Sequence, residues 1–138
     1  MRYNRRIMEQ GLSRRKVMLL AAGDLIVLIV VTLVGFASHG TLETAGGRLW
    51  VTFFSMLVAW AVAAPALGVY NLELSAQPIQ LWRSFLAAVL AAPLAGVIRG
   101  LWLGLSVSPI FIIVLGGISA LSLLAWRGLH LVLHRMIK

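Results

Sequence analysis

Four apolar runs, each about as long as a bilayer is thick, leave this chain little room to be anything but a membrane protein. Crossing a hydrocarbon layer of about 30 Å takes about 20 largely apolar residues. Residues 17–38, 49–70, 85–105 and 109–126 meet that requirement, and connections of 10, 14 and 3 residues join them. Of the 138 residues, 61% are hydrophobic and 12% charged, too few charges to clothe a water-soluble domain of this length. The expected fold is therefore all-α: an integral membrane bundle of four transmembrane helices. Residues 1–16 read as a basic tail and residues 17–138 as the membrane domain, ending in a basic helical extension at the interface. The lack of cysteine removes disulfides, thiolate metal sites and cysteine catalysis from consideration.

Charge placement orients the bundle. Lysine and arginine in short loops resist translocation. With the N-terminus inside, the cytoplasmic side receives Arg2, Arg5, Arg6, Arg14, Arg15, Lys16, Arg83, Arg127, Arg135 and Lys138, and the outer side receives Arg48. Both termini are thus expected inside. The first run is too long for a cleavable signal sequence and reads as an uncleaved anchor. The net charge of +8 lies mostly in the two ends, a pattern suited to anionic lipid headgroups and not to nucleic acid. Beyond residue 126, Arg127, His130, His134 and Lys138 fall at spacings of three and four, which places them on one face of a helix lying against those headgroups. Trp50, Tyr70, Trp82, Trp102 and Trp126 fall near span ends, as an interfacial aromatic belt requires. Trp60, in mid-span, does not fit.

Helices in lipid associate through close packing of small residues, because hydrophobicity cannot drive them together. The third span carries Ala88, Ala92, Gly96, Gly100 and Gly104 at an unbroken spacing of four. That stripe predicts a close helix contact, and with it an oligomer, homo- or hetero-, formed through the third helix. Ala64, Gly68, Gly116 and Ala120 are possible counterparts within the chain. Pro65 and Pro93 predict bends. Their surroundings match as AAPxxGV, 28 residues apart, which allows an inverted repeat.

Polar residues inside the spans are the candidate functional site. Only 13 apolar residues, 25–37, follow Asp24, so this acid must lie within the membrane or at its inner edge, about 10 Å deep. It can be a proton or cation site, or an anchor that reaches headgroup water or pairs with a base such as Arg83. Arg99 interrupts the third span about 21 Å from the inner edge, too far from Asp24 for a simple pair. It either snorkels to outer headgroups or faces Ser38, His39 and Glu43, the one dense outer polar cluster. Neither that cluster nor His130 with His134 offers a full metal ligand set. No glycine-rich phosphate loop and no nucleophile, base and acid set is visible. The expectation is a non-enzymatic protein with no cofactor and no metal.

The segments Gly23-Asp24-Leu25-Ile26-Val27, Gly35 with Ser38-His39-Gly40, Arg99, and Ala125-Trp126-Arg127 resemble the DUF3054 family of small bacterial and archaeal membrane proteins, over about residues 19–131. The resemblance implies four membrane helices in a prokaryotic plasma membrane and no assigned biochemical role. It supplies no catalytic residue. The chain is also similar to small multidrug exporters in its length, its four helices and the acid in its first helix. Unlike them, it keeps that acid shallow, has a strong charge bias and lacks their aromatic motifs beside the acid. Two functions stand open: an interaction or assembly subunit, and a small proton- or cation-coupled transporter using Asp24.

Overall fold

The computed structural model describes residues 2–136, with side chains from residue 10 onward. The side chains of Arg2, Arg5 and Arg6, and all of Lys138, lie outside the described residues. Helix α1 (Arg2–Ser38) is continuous through 37 residues, about 55 Å at the standard rise. The stretch expected as a separate tail is therefore helical from Arg2, running unbroken into the first span. Helix α2 (Gly47–Ala66) is followed by the single-turn α3 (Leu72–Ser75) and a 3-10 turn (Pro78–Gln80). Helices α4 (Trp82–Leu103) and α5 (Pro109–Met136) complete the chain. Four segments, Gln10–Ser38, Gly47–Ala66, Pro78–Leu103 and Pro109–Met136, are long and apolar enough to cross a membrane.

The long helices close a ring: α1 touches α2 and α5, and α4 packs against both α2 and α5. Small side chains make the α4 contacts close. Ala87, Ala88, Ala91, Ala92, Ala95, Gly96 and Gly100 of α4 are all buried. A Cβ on Gly96 would lie 2.9 Å from Ile112 Cγ1, and one on Gly116 would lie 2.8 Å from Ala92 Cβ. Ala92 and Gly96 of the small-residue stripe thus meet α5 of the same chain, and Gly100 faces Leu105 and Val107 of the connection before it. Gly104, the stripe's last expected member, is instead exposed. With φ of +64° it ends α4, and Leu105 N–H donates to the Gly100 carbonyl at 3.0 Å, a left-handed termination that glycine permits without steric cost.

Helix α2 stops earlier than the hydropathy run, which extends to Tyr70. Gly68 (φ +68°) takes the left-handed conformation. Its N–H donates to the Pro65 carbonyl at 2.9 Å, and Val69 N–H donates to the Ala64 carbonyl at 2.9 Å. This paired termination turns Val69 and Tyr70 out of the helix and back toward the bundle. Pro65 consequently sits one residue from the helix end, whereas Pro93 is internal to α4. The two AAPxxGV segments therefore have different backbones, one ending a helix and one continuing it, and do not form a structural repeat.

Candidate functional site

Asp24 is 1% exposed and Arg127, at the far end of the chain, is 4% exposed. They form a two-point ion pair: Arg127 Nε donates to Asp24 Oδ1 at 3.0 Å, and Nη2 donates to Oδ2. This fork geometry matches a carboxylate and is stronger than a pair of neutral hydrogen bonds. Arg127 Nη1 donates to the Val69 carbonyl at 3.2 Å, a group presented by the Gly68 turn. The Tyr70 hydroxyl donates to Asp24 Oδ2 at 2.8 Å and accepts from Trp60 Nε1 at 3.0 Å. The guanidinium carbon of Arg127 lies 5.2 Å from the Tyr70 ring centroid, within cation–π range. Four side chains from α1, α2, the turn after it and α5 thus satisfy one another in a buried network.

Neighbouring contacts hold the pair in register. Gly23 packs against the Trp126 ring so tightly that a Cβ would lie 1.9 Å from Cζ2. Gly23 thus lets Trp126 through, and the following residues, Asp24 and Arg127, meet as a consequence. The segments 23–27 and 125–127, which carried the family resemblance separately, are partners in space.

Arg127, expected with the headgroup-facing bases, is buried as the counterion of Asp24. Arg83 does not pair with Asp24. Its Nε donates to Gln80 Oε1 at 2.6 Å and its Nη1 to the Leu67 carbonyl at 2.9 Å. Trp60 is 3% exposed and serves as a donor to the network. Its mid-span position, anomalous for an aromatic belt, was the legible hint of an internal polar site. Trp50, Trp82 and Trp102 are exposed.

Arg99 belongs to a second site. Its Nε donates to Thr52 Oγ1 at 2.9 Å, and its guanidinium carbon lies 4.6 Å from the Phe111 ring centroid. Thr52 is orientated for this, because its hydroxyl donates to the Arg48 carbonyl at 2.8 Å and so turns a lone pair toward Arg99. Arg99, Arg48 and His39 line an open cleft of about 300 Å³ at the end carrying the α1–α2 connection. Of the expected outer residues Ser38, His39 and Glu43, His39 lines this cleft with Arg99. Ser38 Oγ donates to its own helix at the Gly35 carbonyl, 2.9 Å away, and Glu43 is exposed and outside the cleft lining. Among the described residues the salt bridge is that of Asp24 with Arg127. His130 and His134 stack with ring centroids 6.3 Å apart and planes 12° from parallel.

A family model described as a protein of unknown function (DUF3054) matches residues 21–130. The match embraces both sites. No curated protein and no solved structure matches the chain.

Proposed function

Because the chain belongs to the DUF3054 family, matched over most of its length, and that family's function is unknown, we propose a role from the chain's own geometry. It is a multi-pass, non-enzymatic membrane protein that acts by binding its neighbours, with Asp24 and Arg127 as an internal clasp. The observation that carries this reading is the full occupancy of the Asp24 carboxylate. Arg127 engages both oxygens and Tyr70 engages one of them again. A carrier that exchanged protons or cations at Asp24 would have to break a buried pair in every cycle, at an energetic penalty of several kcal/mol. The plasma membrane of a prokaryote, with both termini cytoplasmic and the basic ends against anionic headgroups, is the setting that the charge bias supports. Assembly through α4 belongs to this role, although Ala92 and Gly96 of its small-residue stripe are taken by α5. A partner helix would meet the outward residues, such as Leu90, Leu94 and Val97, which are exposed.

Vesicles reconstituted with the full chain and loaded with an internal pH dye test the reading against a panel of organic cations. No substrate-driven proton movement is expected. Movement that disappears in Asp24→Asn would overturn the proposal in favour of coupled transport.

A further inference from the structure

The cleft around Arg99 has a composition that the clasp does not explain. Arg99 and Arg48 both face it, with His39 beside them, and no carboxylate lines it among the described residues. Arg99 is half-buried and spends one of its five N–H donors on Thr52. Its other donors make no hydrogen bond to the described residues. Arg48 is exposed, and its Nη2 donates to the Thr44 carbonyl at 3.3 Å. Two cations brought to one cleft without a counterion repel each other, and the repulsion is relieved when an anion sits between them.

Below this cationic rim the wall is apolar. Phe111, Val114 and Ile118 descend along α5, covering about 10 Å at the helical rise. Val114 and Ile118 are 46% and 47% exposed, so the lower part of the cleft is open sideways, toward the bilayer. Charge at the top and an apolar flank at hydrocarbon depth match an anionic headgroup carrying an acyl chain. A small free anion would use the rim and leave that flank unoccupied.

We infer that this cleft binds an anionic membrane lipid, with Arg99 and Arg48 holding the headgroup and the Phe111–Ile118 face of α5 receiving the chain. The site lies at the opposite end of the bundle from the clasp, and its ligand is independent of whether Asp24 moves protons. Arg99 supplies the recognition, since its guanidinium offers a planar fork to phosphate oxygens that lysine cannot reproduce.

The full chain in neutral detergent, titrated with phosphatidylglycerol and phosphatidylcholine of identical acyl chains and read by native mass spectrometry, tests this. Phosphatidylglycerol should be retained about tenfold over phosphatidylcholine, the factor that about 1.4 kcal/mol represents. The preference should fall close to unity in Arg99→Gln and should survive in Arg14→Gln/Arg15→Gln, which alters the basic end instead. A preference unchanged in Arg99→Gln, or lost in Arg14→Gln/Arg15→Gln, would overturn the assignment. Should Arg99→Gln fail to fold, Arg48→Gln at its exposed position carries the same test and must also lower the preference. Displacement of phosphatidylglycerol by millimolar inorganic phosphate would refute a lipid ligand and indicate a free anion.

Discussion

Removing both members of the Asp24–Arg127 pair should destabilise the bundle by much less than the two single removals added together. In Asp24→Asn the Arg127 guanidinium, 4% exposed, keeps the Val69 carbonyl but loses its counterion, and the Tyr70 hydroxyl loses a charged acceptor. Breaking a buried pair from one side costs about 3 to 5 kcal/mol. Arg127→Gln leaves the carboxylate with Tyr70 as its remaining donor and should cost a similar amount. In Asp24→Asn/Arg127→Gln no buried charge remains and the two amides can still hydrogen-bond. The double variant should therefore fall short of the sum of the singles by about 2 to 3 kcal/mol, the upper part of the range for directly coupled residues. Unfolding in detergent micelles, followed by tryptophan emission, measures all four corners of the cycle. Trp60 is a suitable reporter because its Nε1 donates to Tyr70. Arg83→Gln provides a comparison, since that side chain is half-buried and bonds neutral acceptors; its loss should cost about 1 kcal/mol. Additive single-variant costs, or an Asp24→Asn cost as small as that of Arg83→Gln, would refute the clasp.

Glycine substitutions should rank by what a new Cβ meets. Gly23→Ala drives a methyl into the rigid Trp126 ring and should cost about 1 to 3 kcal/mol, more than Gly96→Ala, whose Cβ meets the flexible Ile112 side chain. Gly96→Leu should cost about 1 to 3 kcal/mol, whereas Gly117→Ala, with nothing within 4 Å, should stabilise α5 by up to about 1 kcal/mol; thermal melts in one detergent rank the series. For orientation, single cysteines at Thr44 and Gln77, both exposed, should differ in intact cells: an impermeant thiol reagent labels Thr44→Cys and spares Gln77→Cys, and the reverse pattern inverts the topology.

Membrane-length apolar runs made the four helices legible, since their lengths and breaks follow from bilayer thickness and backbone chemistry. The end of α2 was misplaced because hydropathy sees Val69 and Tyr70 as more of the same span, while the Gly68 conformation governs the turn. Asp24 was legible as an anomaly, being an acid with too few apolar residues after it to lie outside the membrane. Its partner was not. A 3.6-residue pattern puts Arg127 in line with His130 and His134, and only the α1–α5 packing, permitted by Gly23 beneath Trp126, turns that arginine inward. Arg99 was likewise marked as unusual. Its contact with Thr52 depends on how α2 and α4 pack, which hydropathy along either helix does not encode.

The clasp also sets an order of events during synthesis. Asp24 and Arg127 are 103 positions apart, and chains are made at about 5 to 20 residues per second. The acid therefore enters the membrane roughly 5 to 20 s before its counterion exists. Through that interval α1 carries an unmatched carboxylate, a burden of about 2.5 to 3.5 kcal/mol on insertion scales, which the apolar residues on either side of it must outweigh. A helix made long after the first is thus the one that locks it, and a chain truncated before Arg127 retains four apolar spans without the clasp.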